Sequence, residues 1–405
     1  MKIVKIIPFL IAAFLSVNIN SQAPAKTILL KNARLIDGNG GDPLENASIL
    51  ISNGKFESIT AGDISVPEGA EVIDLGGKTA MPGFIDTHFH MNYPNFRDKP
   101  LLLNEAISAY RSVPFLYNHL MGGITTLLDA GAYHNVSLMA KKAWEDGYIT
   151  GSRPVVVGER INGTGGHGVS RFDMAVQADG PDEFRKAVRQ QLYNGADLVK
   201  ILPPYSREEL AAAIEETHLH QKKVAVHSGI YNKQYAFVRW AAELDADIIM
   251  HAYALPDDVI EMMGQKHIYS VPTMTIMMKN QLGASFRKDN TELHEYEVIF
   301  RKLKAAGVKM AIGTDALYEY MNENPGLYFD EVERFVKNGY SCMEAIVAAT
   351  KTGSEVIDMA SRLGTVEKGK IADIVVIEGD PLKDIKSLRN VKIVIQSGKI
   401  VRNDF

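Results

Sequence analysis

Six residues that could bind metal ions or transfer protons each stand at or near the end of a short apolar segment. They are His88, His90, Lys200, His227, His251 and Asp315. Apolar segments of this length, bounded by polar residues, are typical of buried β-strands. If the strands are parallel, their carboxyl ends lie together, and we expect the six side chains to converge on one site.

The first two residues form a pair in the segment FIDTHFH. His88 and His90 are two positions apart on or just after a strand, so both side chains point to the same face. Imidazole nitrogens are good ligands for zinc and similar metals, although a packing or surface role fits a lone pair equally well. His218 and His220 have the same spacing, but they lie in a helical pattern. Two helical positions differ by about 200°, so we expect that pair to be solvated.

The next candidates each end an apolar strand. His227 closes VAVH and His251 closes IIMH. One such histidine is more often a packed core residue, but two on neighbouring strands that face a histidine pair favour metal ligation. Asp315, in AIGTDA, adds a carboxylate that could bind metal or move protons. Its alternative role is as the N-cap of the following helix.

Lys200 lies near the end of the apolar segment GADLVKIL, where a buried ammonium without a partner would be costly. Desolvation and nearby cations would lower its pKa and leave a nucleophilic amine. Carbon dioxide can add to such an amine to form a carbamate, whose two anionic oxygens could bridge two metals. This chemistry accounts for the lysine better than a buried salt bridge, for which the sequence offers no obvious partner.

The middle of the chain repeats a unit of apolar strand, polar loop and helical segment. The expected strands are residues 84–88, 125–130, 154–159, 196–202, 223–228, 246–252, 269–274 and 309–315. Helical segments lie between them, and in SREELAAAIEETHLHQKK we expect Ser206 to be the N-cap and Glu209 to complete a capping box. Such alternation predicts a parallel sheet covered on both faces. Eight units over about 280 residues favour an α/β fold of the (β/α)8 TIM-type barrel over an open sheet.

The two ends of the chain show a different pattern. Residues 24–80 and 364–405 contain alternating strand patterns with the hairpin signals Asn53-Gly54 and Ser397-Gly398. We expect a small β-sandwich-like domain that both termini build together. The barrel, residues 81–363, would be inserted between its two parts.

Residues 1–23 have the layout of a secretory signal peptide. Lys2 and Lys5 precede an apolar run at 6–17, and small and polar residues follow. The run is short for a transmembrane span, although an ordinary first helix or an anchor is the alternative. We therefore expect an exported protein, periplasmic or extracellular, with no membrane attachment in its mature form.

Composition excludes some partners. The net charge is −5, and the basic residues form no stripe with interleaved aromatic residues, so we expect no nucleic-acid binding. The single cysteine, Cys342, excludes an internal disulfide. A small-molecule substrate is expected, and a homo-oligomer is compatible with the sequence.

The combination of motifs resembles the amidohydrolase superfamily. The similar stretches are MPGFIDTHFH, GADLVKI, the strand ends at His227 and His251, IGTDA, and the ending GTVEKGKIADIVVIEGDPL with VKIVIQSGKIV. This resemblance spans nearly the whole chain after the leader. It implies two divalent metal ions, with zinc expected. The two histidines of FIDTHFH and Asp315 would bind one ion, His227 and His251 the other, and Lys200, carboxylated by carbon dioxide, would bridge them.

Two further stretches resemble one branch of this superfamily. MGGITTLLDAG and the loop NGTGGHG are similar to the branch of metal-dependent Xaa-Pro and Xaa-Arg dipeptidases and ochratoxinase-like carboxypeptidases, to which imidazolonepropionases are related. That similarity implies that His167 lies near the scissile carbonyl and acts in catalysis and substrate binding. The relatives often have aspartate where this chain has Val169. Tyr231 is a candidate for binding a substrate carboxylate, and a surface role fits it equally.

The expected activity is hydrolysis of an amide C–N bond in dipeptides or N-acyl amino acids by a hydroxide that bridges the two metals. Asp315 would pass the proton to the leaving amine, and His167 would help to polarise the carbonyl. The alternatives are a cyclic amidase, a lactonase or phosphotriesterase, and a deaminase, which the sequence SerGlyIle after His227 disfavours. A non-catalytic relative is the alternative from another class, but such proteins usually lose ligands.

Overall fold

The structure is a computed structural model, and it describes residues 26–91, 104–167, 174–229, 235–252, 255–278, 291–317 and 326–405. The expected signal peptide and Tyr231 lie outside the described residues and stay predictions from the sequence. Within the described ranges, no helix is long and apolar enough to cross a membrane.

Strands and helices alternate through most of the chain. The strands are β1 (Ile28–Leu35), β2 (Leu44–Ser52), β3 (Lys55–Ala61), β4 (Glu71–Asp74), β5 (Thr79–Pro82), β6 (Phe84–His90), β7 (Ile124–Asp129), β8 (Arg153–Val156), β9 (Arg160–Asn162), β10 (Ala175–Gln177), β11 (Val199–Ile201), β12 (Val224–His227), β13 (Ile248–Met250), β14 (Tyr269–Val271), β15 (Ala316–Leu317), β16 (Ile374–Ile377), β17 (Val391–Gln396) and β18 (Lys399–Asn403). The α-helices are α1 (Glu105–Met121), α2 (Val136–Glu145), α3 (Pro181–Tyr193), α4 (Arg207–Leu219), α5 (Tyr235–Glu243), α6 (Asp257–Gln265), α7 (Met274–Met278), α8 (Thr291–Ala305), α9 (Leu327–Lys337), α10 (Cys342–Ala349) and α11 (Lys351–Val356). A 3-10 helix covers Ile385–Arg389.

Strands from both ends of the chain form one sheet, in the order β18-β17-β16-β5-β1-β2-β3. β1 pairs in parallel with both β4 and β5, so the sheet branches at this strand. β5 and β16 run antiparallel and join the two ends of the chain, with Met81 opposite Val375. The hydrogen bonds thus define a single branched sheet, where the β-sandwich-like prediction implies two packed sheets.

The middle of the chain contains two parallel sheets, in the orders β15-β6-β7-β8 and β10-β9-β11-β12-β13-β14. The Asp197 amide donates a hydrogen bond of 2.7 Å to the Val156 carbonyl and connects the two sheets beside β8. Every residue of β6, β7, β8 and β12 is buried, as expected for strands covered on both faces. The predicted mixed α/β class with a parallel sheet is confirmed, while β9 and β10 are additional short strands that the sequence pattern did not indicate.

The eighth expected strand, residues 309–315, is not a regular strand in the structure. One bridge joins Met310 to Ser270 of β14, and the Thr87 amide of β6 donates to the Ile312 carbonyl at 2.9 Å. We call the contact between residues 309–315 and β6 the seam. Through the seam, backbone hydrogen bonds link the eight expected strand segments in succession.

Helix α4 begins at the expected capping box. The Glu209 amide donates to Ser206 Oγ at 3.2 Å, and the Ser206 amide donates to Glu209 Oε2 at 2.6 Å. His218 and His220, at the other end of this helix, are partly exposed and pair with separate carboxylates. Their helical spacing keeps them apart, as the sequence predicts.

A buried ion pair connects the terminal sheet to the amino ends of the parallel strands. Arg153, at the start of β8, pairs with Asp373, and both side chains are nearly inaccessible to solvent. The guanidinium also donates to Thr126 Oγ1 and Ser397 Oγ, each at 2.9 Å. These bonds attach the terminal sheet to β7 and β8 near their amino ends.

His119, on α1, is buried and packs against aromatic side chains. Its ring centroid lies 4.7 Å from that of Phe89 and 4.8 Å from that of Phe115, and Nδ1 donates to the Phe115 carbonyl at 3.1 Å. Burial lowers the pKa of His119 to about 4, although the bond to Phe115 opposes this. The folded chain therefore holds the ring in its neutral form.

We predict that His119→Leu makes the free energy of unfolding less sensitive to pH between about 6.5 and 4. In this window the unfolded wild-type chain binds a proton on the ring, whereas the folded chain does not, so stability falls as the pH falls. The shift corresponds to roughly 3 kcal/mol. Urea unfolding of the metal-free proteins across this pH range measures the difference, and identical pH profiles would contradict the prediction.

Candidate metal centre and catalytic site

The structure brings the six predicted ligand residues together at the carboxyl ends of the parallel strands. His88 and His90 lie at the end of β6, Lys200 within β11, His227 at the end of β12, His251 after β13 and Asp315 before β15. All are buried, except that the Asp315 side chain keeps 19% of its surface exposed. They form one cluster that combines imidazole, carboxylate and amine groups.

One part of this cluster surrounds the Asp315 carboxylate. His88 Nε2 lies 3.3 Å and His90 Nε2 lies 3.1 Å from Asp315 Oδ1. One ligand atom each from His88, His251 and Asp315 all lie within 4.8 Å of one another. This spacing is compact enough for a single metal ion to contact all three residues.

The other part lies around His227. Its ring centroid is 4.4 Å from that of His251 and 5.2 Å from that of His167, the histidine of the GGHG sequence. The structure therefore places His167 beside the predicted ligands, as expected for a residue that contacts the substrate. Tyr231, the other predicted substrate-binding residue, lies outside the described residues.

The backbone is strained where two of the ligands leave their strands. His251 has a φ of 73° and Asp315 a φ of 50°, and Thr273, which contacts His251, has a φ of 52°. Residues other than glycine adopt this left-handed region only at a cost, and such strain concentrates at functional sites. These three residues have side chains that either enter the cluster or orient one of its candidate ligands.

Hydrogen bonds orient the histidine rings. His90 Nδ1 donates to the Gly131 carbonyl at 3.0 Å, and His251 Nδ1 lies 2.7 Å from Thr273 Oγ1. Metal-binding histidines are commonly held in this way, with one ring nitrogen bonded to an oxygen and the other directed at the metal. Among the described residues, buried His88 Nδ1 has no hydrogen-bond partner. The cluster thus contains a buried nitrogen that a metal ion could satisfy.

Lys200 is buried without a carboxylate partner. No Asp or Glu of the described residues forms an ion pair with it, and its Nζ lies 2.5 Å from the Met250 thioether sulfur. Burial lowers the pKa of Lys200 well below its usual value, against the attraction of Asp315 and assisted by the Arg160 charge. Burial therefore favours the neutral amine, which is the form that can react with carbon dioxide.

Burial likewise favours the neutral form of three of the histidines. Burial lowers the pKa of His88 to about 3 and brings those of His227 and His251 well below the usual value, and neighbouring histidines lower the last two further. Burial alone would raise the pKa of Asp315, but His88 and the other histidines hold it well below its usual range. Neutral imidazoles beside an ionised carboxylate fit a divalent metal of the zinc type.

The loop that carries His167 is held in place by several hydrogen bonds. Asn162 Nδ2 donates to the His167 carbonyl at 2.9 Å, and the Gly163 amide donates to the Pro204 carbonyl at 2.8 Å. A side chain at Gly166 would start 2.4 Å from Asn162 Nδ2, so glycine is required there. Burial, assisted by the Arg160 charge, lowers the pKa of His167 to about 4.

Several buried charged residues around the cluster were not predicted from the sequence. Asp129 ends β7 and accepts hydrogen bonds from the Gly131 amide at 2.9 Å and the Met91 amide at 3.2 Å. It thereby fixes Gly131, whose carbonyl holds His90. Its place at a strand end, in TTLLDA, was a signal that could have found it, whereas Arg160 follows a short loop and carries no such signal.

A mixed α/β fold that gathers histidines, a carboxylate and a buried lysine at parallel strand ends is typical of a class of metal-dependent enzymes. The model of the Amidohydrolase family matches residues 79–401, and the chain belongs to this family. The resemblance inferred from the sequence is thereby confirmed, and the protein is a hydrolase of this superfamily.

Individual relatives cover most of the chain. Ochratoxinase from Aspergillus niger is 26% identical over 435 residues, which cover 93% of this chain and 86% of that protein. Imidazolonepropionase from Clostridium tetani is 24% identical and covers 90% of this chain and 93% of its own. The crystal structure of a Xaa-Pro dipeptidase with bound methionine has a TM-score of 0.82 at 26% identity, covering 93% of this chain and 100% of that one.

We predict that Gly131→Ala weakens zinc binding and lowers the thermal midpoint. A methyl group at residue 131 would start 2.4 Å from Arg160 Cγ and Cδ, so the Gly131 carbonyl that holds His90 would have to move. Gly41→Ala is the matched control, because nothing lies within 4 Å of the position of its added methyl group. Zinc content after gel filtration and thermal unfolding measure both effects, and equal behaviour of the two variants would contradict the prediction.

Proposed function

We propose that the protein is a binuclear metal-dependent amidohydrolase that cleaves the amide C–N bond of dipeptides or N-acyl amino acids. The observation that carries this proposal is the buried Lys200 amine, which has no carboxylate partner among the described residues and lies among the predicted metal ligands. The similarity to a Xaa-Pro dipeptidase and to ochratoxinase supports the substrate class.

In this proposal the cluster holds two divalent metal ions, with zinc expected. The two histidines of β6 and Asp315 would hold one ion, and His227 and His251 the other. Lys200, carboxylated by carbon dioxide, would bridge them. Bound metal ions would supply a water of lowered pKa, about 7, and would polarise the substrate carbonyl.

The protein side chains would then move the protons and orient the substrate. Asp315 is ionised, and its Oδ1 lies 3.3 and 3.1 Å from His88 and His90. Its Oδ2 is 4.0 Å from His251 Nδ1, so Oδ2 would be the less engaged atom to accept a proton from the attacking water. The same oxygen would deliver the proton to the leaving nitrogen. His167 is neutral near pH 7, so its ring N–H can donate a hydrogen bond to the carbonyl oxygen as negative charge develops there.

We also propose that the fold is a (β/α)8 TIM-type barrel inserted into the small domain of both termini. Hydrogen bonds in succession around eight strand segments and the family membership support this interpretation. The signal-like residues 1–23 support export to the periplasm or the exterior. The N-terminal sequence of the protein recovered from either compartment checks the export.

A cyclic amidase is the second candidate, because imidazolonepropionase from Clostridium tetani is a relative. The two candidates differ in their substrates, and cyclic amides belong in the same assay as dipeptides.

We predict that residues 26–405, supplied with zinc and bicarbonate, release free amino acids from dipeptides or N-acyl amino acids. Lys200→Ala should lower kcat/KM at least about a hundredfold, because the bridge between the metals is lost. Lys186→Ala, at an exposed lysine on α3, is the matched control and should behave as wild type.

The panel includes dipeptides, N-acyl amino acids, cyclic amides and lactones, with amine release and zinc content as readouts. Turnover of cyclic amides or lactones alone would keep the metal centre but overturn the substrate class. Unchanged activity in Lys200→Ala would overturn the bridging role of the lysine.

A further inference from the structure

We propose that Asp86 is a positioning residue that holds Asp315 against the histidines of β6 by binding Thr314 across the seam. The inference rests on the proposed function, because it concerns what places a ligand of that same metal centre. Among the described residues, the Asp86 side chain bonds to the backbone of His88 and to Thr314, and not to the side chain of any candidate ligand.

The carboxylate of Asp86 accepts three hydrogen bonds from two distant parts of the chain. Oδ1 accepts from the His88 amide and from the Thr314 amide, each at 3.1 Å. Oδ2 accepts from Thr314 Oγ1 at 2.7 Å. Asp86 is fully buried, so water does not compete for these bonds. One side chain thus ties the end of β6 to the residue directly before Asp315.

Further bonds extend this connection to Asp315. The Asp315 amide donates to the His88 carbonyl at 2.7 Å, and the Ala316 amide donates to Thr314 Oγ1 at 3.1 Å. Thr314 Oγ1 therefore donates to Asp86 and accepts from Ala316 at the same time. Residues on both sides of Asp315 are fixed, which restricts the direction of its side chain.

The chain at Gly313 also approaches its neighbouring strands closely. A side chain at Gly313 would start 2.4 Å from Val271 Cγ1 and 2.9 Å from His88 Cβ. Such an approach, together with the left-handed backbone of Asp315, is maintained only when surrounding contacts over-determine it. The hydrogen bonds of Asp86 are contacts of this kind.

Three hydrogen-bond donors surround the side chain of residue 86, and their number explains why this residue is an aspartate. Among the described residues no lysine, arginine or histidine forms an ion pair with Asp86, so charge pairing does not explain the carboxylate. Asparagine has the same shape but replaces one acceptor oxygen with an NH2 group, so the bond with the Thr314 hydroxyl would have to reverse and only two of the three bonds could be accepted. A carboxylate is the group of this size that accepts all three bonds.

The test compares four variants of the zinc-loaded protein, residues 26–405. Asp86→Asn and Thr314→Val remove the connection, Thr314→Ser restores the hydroxyl, and Thr87→Val is the matched control. Thr87 Oγ1 donates to the Ile312 carbonyl at 2.8 Å, so its loss removes a buried hydroxyl bond from the same seam and leaves the three hydrogen bonds of the Asp86 carboxylate in place. Zinc per chain, zinc affinity by competition with a chelator, and the thermal midpoint of the metal-free protein are measured.

We expect Asp86→Asn and Thr314→Val to lower the affinity for one of the two zinc ions by about 10- to 100-fold, as loss of an orienting residue does, while the other ion is retained. Thr314→Ser should bind zinc as wild type does. Thr87→Val should lower the metal-free midpoint as Thr314→Val does, yet bind both ions normally.

Zinc binding by the wild type tests the proposed function. The difference in zinc affinity between the variants tests this inference. Wild-type affinities in Asp86→Asn, or equal zinc loss in Thr87→Val and Thr314→Val, would overturn the inference and leave the proposed function standing. A wild type that binds one ion would overturn the binuclear function, while weaker binding of that ion in Asp86→Asn would still support the inference. A wild type that binds no zinc would overturn both.

Discussion

Desolvation of the strand ends is the constraint on which the candidate site depends. An ammonium or an imidazolium is costly to bury, so burial favours the neutral forms of Lys200, His227 and His251, which offer lone pairs. Burial opposes the ionised form of Asp315, but the surrounding histidines hold the pKa of its carboxyl well below the usual range. A centre with few protons on its candidate ligands is suited to divalent cations.

Burial affects the charge of the side chains in the cluster, whereas the fold determines the directions in which they point. Parallel strands bring six residues to one edge, but two of the ligands reach the cluster only through left-handed backbone. Buried acids that do not coordinate the cluster hold this geometry: Asp129 fixes the carbonyl that holds His90, and Asp86 fixes the residue before Asp315. Among the described residues, hydrogen bonds of Asp129 and Asp86 thus orient parts of the cluster.

The sequence predicted that the six candidate ligands lie together because each is at or near a strand end, a position that periodicity alone can locate. It also predicted the parallel strands and the capping box of α4, since both depend on local pattern. The acceptors Asp86 and Asp129 were missed because their partners are backbone amides and a threonine far away in the chain. Local pattern predicted a small β-sandwich-like domain from both termini, but it could not predict the branch at β1, which depends on pairing with β4 and β5.

The carbamate on Lys200 is the central claim, and carbon-13 NMR tests it most directly. The zinc-loaded protein, residues 26–405, would be equilibrated with 13C-bicarbonate and compared with Lys200→Ala. The account predicts a protein-bound carbamate carbon signal in the wild type that is absent in the variant. A wild type that binds zinc at both positions and hydrolyses its substrate, yet shows no such signal, would contradict the account.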